Sequence, residues 1–311
     1  MSNLGAPHPS ITQYKLQIPV RDGWLSRSIV CRPSSPAAPG PVIVIYHGGG
    51  FWTGNPEGML NYARRLSQSL DAVIVCPSYR LAPEDPFPIG VNDAWDVLVW
   101  LSSNASSINA DLGKGFIVGG NSAGANFAGV LARRAVEENL QPPVTGQWIS
   151  FPAFGHVGIE GVEQAIMVPE AERYQHIWGM SWSQNEDAMI VNQEYAAEIL
   201  GWYNSDYTSP LYNPLTAKPP LDMGKMPKAF IQIAGGDLFR DDGIVYAYAL
   251  GDAGVDVRLE AYSGVPHTFP FFLPMLEVSK KATVDTAMGF AWLLNIEIDE
   301  GVAVKSMQGN A

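Results

Sequence analysis

The runs Phe116-Ile117-Val118 and Ile231-Gln232-Ile233 constrain this chain more than any other feature. A strand with almost no polar alternation has to be buried on both faces, as in a parallel sheet covered by helices. Similar short runs recur. Residues 14–19, 26–32, 41–46, 73–77, 115–119, 146–151, 229–234 and 257–262 read as strands. Between them, residues 57–70, 91–101, 123–139, 242–253 and 279–294 show helical spacing. That alternation is the mark of βαβ units. The first two strands are expected to pair antiparallel around the turn Arg21-Asp22-Gly23. The expected fold class is α/β, with a mostly parallel central sheet flanked by helices.

One region breaks the rhythm. Residues 154–226 carry three tryptophans and five tyrosines and no strong strand signal. They read as a mostly helical insertion, either ordinary packing or a cap that faces substrate. With 47% hydrophobic residues the chain can bury a large core, so residues 1–311 are read as a single domain with a cap insertion at about 154–226.

Charge excludes some roles. A net charge of −12 repels polyanions, so nucleic acid is not an expected partner. It also opposes docking on anionic membranes. No apolar run is long enough to span a bilayer, and the first residues lack the basic start and apolar core of a signal peptide. The expected location is the cytoplasm. Of the two cysteines, Cys76 ends an apolar run and reads as a buried free thiol, which fits a reducing compartment. No cysteine–histidine cluster has zinc spacing, so no metal is expected.

The chemistry begins at Gly120-Asn121-Ser122-Ala123-Gly124. The pentapeptide follows one apolar strand and precedes a helix, the setting of a nucleophile elbow. The turn is sharp, so its flanking residues must be small. The helix dipole behind Ser122 favours a developing negative charge. Upstream, His47-Gly48-Gly49-Gly50-Phe51-Trp52 follows the strand at 41–46. Backbone N–H groups of such a loop, with that of Ala123, can hold an oxyanion. The spacing fits neither G-x-G-x-x-G nor a P-loop. His47 is expected to hold the loop rather than act as a base.

Ser122 needs a base, and the base needs a carboxylate to orient it. His8 is close to the start of the chain, and His156 and His176 lie in the insertion. His267 follows the last expected strand, where α/β sheets assemble their sites. Asp237 comes first after the preceding strand. Asp241 and Asp242 are expected to open the next helix. The order Ser122, Asp237, His267 is the one such hydrolases use.

These motifs, with Ser78-Tyr79-Arg80-Leu81-Ala82-Pro83-Glu84 and Asp237-Leu238-Phe239-Arg240-Asp241, resemble the hormone-sensitive-lipase-like (alpha/beta hydrolase fold-3) family over about residues 41–294. The resemblance implies an α/β-hydrolase fold, carboxylesterase or lipase chemistry through an acyl-enzyme, and an oxyanion hole at Gly48, Gly49 and Ala123. Phe51, Trp52 and the aromatic insertion point to a small apolar substrate with an apolar acyl or aromatic group. No cofactor is implied. Some members of such a family form dimers, so a homodimer is among the open assemblies. The chain departs from the family pattern at Asn121, where Asp is common, and at Thr268, where Gly is common. Its N-terminal part is short for a family cap, so a lid would rest mainly on the insertion. Tyr79, Arg80 and Glu84 read as a polar network bracing the loop.

The resemblance extends to fungal-type esterases of secondary metabolism, where deacetylation, lactone opening or thioester release would use the same machinery. Two other classes stay open on this fold. One is a receptor that binds ligand in the old active site after losing the histidine, which the presence of His267 disfavours. The other is a cyclase or isomerase.

Overall fold

The computed structural model describes residues 5–155 and 167–308. Eight strands form one sheet: β1 (Ile11–Pro19), β2 (Leu25–Pro33), β3 (Val42–Tyr46), β4 (Val73–Cys76), β5 (Phe116–Asn121), β6 (Gly146–Ser150), β7 (Lys228–Ala234) and β8 (Val257–Tyr262). Their spatial order is β1-β2-β4-β3-β5-β6-β7-β8. β1 and β2 form the expected hairpin, with Pro19 opposite Leu25, and β2 meets β4 antiparallel. From β4 through β8 every pairing is parallel.

Side-chain alternation along the central strands feeds two separate cores. Val42, Val44 and Tyr46 of β3 join one. Ile43 and Ile45 join the other. Because successive side chains point to opposite faces, an unbroken apolar strand requires cover on both. The first core is closed by α2 (Ile89–Asn104), α3 (Ala123–Glu137) and α7 (Arg240–Asp252) through Val97, Leu98, Ala128, Leu131 and Leu250. The second is closed by α1 (Leu60–Leu70), α9 (Glu277–Leu293) and α10 (Glu300–Gln308) through Leu66, Phe290 and Met307. The result is three layers, helix on sheet on helix, the expected α/β-hydrolase fold.

Residues 57–70 do not form one helix: a 3-10 turn at Pro56–Met59 precedes α1. The helix α10 has no counterpart among the expected elements. Cys31 and Cys76 are both buried free thiols on the neighbouring strands β2 and β4. Burial pushes the Cys31 thiol up to about 12.

Between β6 and β7 the described residues hold three α-helices, α4 (Pro169–Glu172), α5 (Met180–Gln184) and α6 (Gln193–Tyr203), a 3-10 turn at Met223–Lys225, and no strand beyond the isolated bridge of Met167 with Thr216. Helix α3 grips both ends of this segment. The Asn126 amide donates to the carbonyls of Ala153 (2.7 Å) and Tyr212 (2.8 Å). The fully buried Arg133 guanidinium donates to the carbonyls of Pro214, Thr216 and Pro219. A buried cation is tolerable only when its donors are satisfied in this way.

Candidate active site

The parallel strands deliver the candidate residues to one edge of the sheet. The glycine loop follows β3, Ser122 follows β5, Asp237 follows β7, and His267 follows β8 by five residues. Loops at the carboxyl ends of parallel strands converge there.

Ser122 stands between β5 and α3 at φ 56°, ψ −120°, a strained conformation for a residue with a side chain. Neighbouring backbone enforces the turn. A Cβ on Gly120 would lie 2.2 Å from the Gly124 carbonyl oxygen, and one on Gly124 would lie 2.1 Å from that of Tyr46. Only glycine fits either place.

Ser122, His267 and Asp237 meet. Ser122 Oγ lies 2.8 Å from His267 Nε2. His267 Nδ1 lies 2.7 Å from Asp237 Oδ2. Asp237 Oδ1 accepts from the Phe239 N–H at 2.9 Å, which sets the plane of the carboxylate. Both His267 and Asp237 are buried. The other histidines stand apart. His8 bonds Ser10 near the chain start, His176 is exposed, and His156 lies outside the described residues.

Gly48, Gly49 and Ala123 line the same cavity as Ser122. Among the described residues, their N–H groups donate to no protein acceptor. Three unspent donors beside a hydroxyl can stabilise an oxyanion. His47 holds this loop. Its ring lies 2.8 Å from the Gly48 carbonyl through Nδ1 and stacks on Tyr79 at 4.3 Å. The Tyr79 hydroxyl donates to the His47 carbonyl at 2.8 Å. Burial pushes the His47 imidazole down to about 4, so it is neutral at pH 7. Arg80 forks onto Asp93 at 2.9 and 2.6 Å and reaches Asp22. Glu84 is exposed and outside this network, which corrects the reading of its motif.

The cavity has a volume of about 790 Å³. Phe51 belongs to its wall, yet it is almost wholly buried, stacked on Tyr203 at 4.0 Å and packed on Phe127. Trp52 is a correction. It does not line the cavity; its ring packs edge-on against Trp202 at 5.0 Å. Adjacent residues of the loop turn their side chains in different directions, so only one of the pair reaches the site. Asn121 and Thr268, the two departures from the family pattern, both line the cavity. Thr268 sits at φ 50°, a left-handed conformation that disfavours a β-branched residue.

Residue-by-residue reading missed the wall from the segment between β6 and β7: Ile190, Val191, Tyr195, Ile199 and Leu200. The signal was present. Ala196, Ile199, Leu200 and Tyr203 are all buried and follow the three-and-four spacing of one helix face. It also missed Phe271 and Phe272 on α8 (Phe269–Phe272). Asp241 and Asp242 do open α7, but their carboxylates also reach across to the inserted segment. Asp242 accepts from the Phe154 N–H (2.8 Å) and the Trp178 indole (2.6 Å), and Asp241 from the Ser181 N–H (2.6 Å). Among the described residues no cluster of three or more His, Cys, Asp or Glu could hold a metal ion, and no helix is long and apolar enough to cross a membrane.

Known proteins share this fold. An AB hydrolase superfamily protein of Schizosaccharomyces pombe is 34% identical over 279 residues, 89% of this chain and 78% of that protein. Vibralactone cyclase superposes with a TM-score of 0.82 at 29% identity, covering 93% of this chain and 82% of its own. The hyperthermophilic esterase of the archaeon Pyrobaculum calidifontis superposes at 0.78 with 31% identity, covering 93% and 87%. The family model of the alpha/beta hydrolase fold matches residues 43–271. On that match and these relatives, the chain belongs to the alpha/beta hydrolase fold family, in its hormone-sensitive-lipase-like branch.

Proposed function

We propose that this protein is a serine carboxylesterase that cleaves a small apolar ester through an acyl-enzyme. Ester hydrolysis itself is supported by the family and by the likeness to the Pyrobaculum calidifontis esterase. The observation that carries the finer reading is the relay of 2.8 and 2.7 Å from Ser122 through His267 to Asp237.

In the reaction, His267 Nε2 takes the Ser122 proton as Oγ attacks the acyl carbon. Asp237 holds the other ring nitrogen protonated and stabilises the imidazolium. The N–H groups of Gly48, Gly49 and Ala123 receive the negative oxygen, a contribution of roughly 2.7–4 kcal/mol per donor. The C–O bond then breaks, and His267 gives its proton to the leaving alcohol. Water, deprotonated by the same histidine, attacks the acyl-enzyme and releases the acid. Within the segment at 154–226, of which residues 156–166 lie outside the described residues, Ile190, Val191, Tyr195, Ile199 and Leu200 serve as the cap's apolar wall over the reacting centre.

The likeness to vibralactone cyclase supports a second reading, ring closure in the same pocket. A fluorophosphonate separates the two. The esterase labels at Ser122 and turns over an activated ester, and Ser122→Ala abolishes both. Full turnover by Ser122→Ala would end the esterase reading, and a protein that closes rings without labelling is a serine-independent cyclase.

A further inference from the structure

Backbone strain gathers at the candidate site. Among the described non-glycine residues at positive φ, Phe51 (66°), Ser122 (56°), Ile190 (78°) and Thr268 (50°) line the cavity. Strained residues persist where the surrounding structure holds them, and they cluster at functional sites. Thr268 is the case that most needs a reason. Asparagine and aspartate tolerate this region of the backbone map, and a β-branched residue does not. Its neighbours hold it there. His267 on one side is tied to Ser122 and Asp237, and Phe269 on the other is fully buried against Phe151 and Tyr262.

A threonine just before a helix ordinarily caps it, its Oγ1 accepting a backbone N–H of the first turn. Thr268 stands in that place before α8 and makes no such bond. Among the described residues its hydroxyl has no protein partner. Nor is it sealed in, as the unpaired Asn121 Oδ1 is. Thr268 is 2% exposed and lines the cavity, so the cavity is what its hydroxyl can reach. The other hydroxyls of the lining differ. Ser122 bonds His267, Thr53 is exposed, and Tyr195 is half-buried. No lining residue is Asp, Glu, Lys or Arg. A buried hydroxyl one residue from the base, in a wall without carboxylates or ammonium groups, fits a neutral oxygen on the substrate.

We propose that Thr268 is a specificity-determining residue: its hydroxyl hydrogen-bonds a neutral oxygen, hydroxyl or carbonyl, that an otherwise apolar ester carries within a few bonds of the scissile carbon. The proposal rests on the esterase reading above. Adjacent Cα atoms lie about 3.8 Å apart, so a group bonded to Thr268 stays near His267 and the reacting centre. A site of this kind disfavours the analogue that lacks the oxygen, because the hydroxyl is then left unpaired. The strain at Thr268 is kept because glycine, which the backbone would accept, carries no hydroxyl.

The test uses the full chain and two pairs of esters. Ethyl lactate against ethyl propanoate places the extra oxygen on the acid. Ethylene glycol monoacetate against propyl acetate places it on the alcohol. Each pair yields a ratio of kcat/KM, and the intrinsic reactivity of the esters cancels when a variant is compared with wild type. Thr268→Val keeps the shape and removes the hydroxyl. It lowers the ratio in one pair about three- to tenfold, the scale of a single hydrogen bond. Thr268→Gly lowers the same ratio and suits the left-handed backbone, which guards against misfolding of the valine variant. Thr268→Ser keeps the hydroxyl and holds the ratio within about twofold of wild type. The pair that responds shows which half of the ester carries the oxygen. Unchanged ratios in both pairs, or a loss with serine equal to that with valine, overturn this proposal and leave the esterase reading standing. Wild-type protein that turns over none of these esters and takes no fluorophosphonate overturns the esterase reading, and this proposal with it.

Discussion

The Asn185 side-chain amide donates to the backbone carbonyl of Asp237 at 3.0 Å, joining the segment between β6 and β7 to the residue that orients His267. Ser181 reinforces the joint by donating to the Leu238 carbonyl at 2.9 Å. The segment that walls the cavity and the loop that carries the carboxylate are therefore one hydrogen-bonded unit. Losing one such bond costs about 0.5–1.5 kcal/mol. Asn185→Ala is expected to lower kcat about three- to tenfold with little change in KM. An unchanged kcat with only a lower Tm would make the contact purely structural.

Asp237→Asn tests the orientation of His267 directly. An amide in that place permits the wrong tautomer, and kcat is expected to fall by about 10⁴ while the protein stays folded. Circular dichroism and steady-state kinetics on an activated ester decide it. A fall of less than about tenfold would assign the acid to another carboxylate.

Gly124→Ala should cost stability before it costs chemistry. Its methyl would lie 2.1 Å from the Tyr46 carbonyl oxygen, in a turn that cannot move away from β3. A loss of at least about 3 kcal/mol is expected, beyond the usual range for a single substitution. Urea unfolding measures it, and near-wild-type stability would mean the elbow is less tightly packed than its geometry indicates.

His47 makes the fold sensitive to acid. Its folded value is pushed down to about 4, whereas an unfolded histidine titrates near 6.5. Between those values the unfolded chain binds more protons, so stability rises with pH. The contribution is complete above about pH 6.5 and is lost as pH falls toward 4, on the order of 3 kcal/mol in all. Denaturant unfolding from pH 4 to 7, compared with His47→Gln, checks this. The variant should show a shallower slope, and equal slopes would remove His47 from the account.

Much of the site was legible because it is built from local backbone requirements. Gly120 and Gly124 flank a turn that admits no Cβ, and Asp237 and His267 each follow a strand. The inserted segment was harder to read. The buried face of Ala196, Ile199, Leu200 and Tyr203 is visible as a spacing, but nothing in that spacing says which surface it covers. Trp52 and Phe51 look alike as letters, and only packing sends one against Trp202 and the other into the wall. Asp241 and Asp242 look like ordinary openers of a helix, and their bonds to Ser181, Trp178 and Phe154 span 60 or more residues.

What the sequence by itself determined is the sheet and the elbow. A strand apolar on both faces has to sit inside a covered sheet, and a glycine-flanked serine between strand and helix has to turn sharply. What tertiary structure decided is the meeting of Ser122 with His267 across 145 residues, the fit of the inserted segment against Asp237, and the cavity that this segment helps to wall. Those depend on sheet register and on how helices settle over it. Such long-range packing leaves no periodic trace in the chain, because it depends on residues far apart in sequence that touch only after folding.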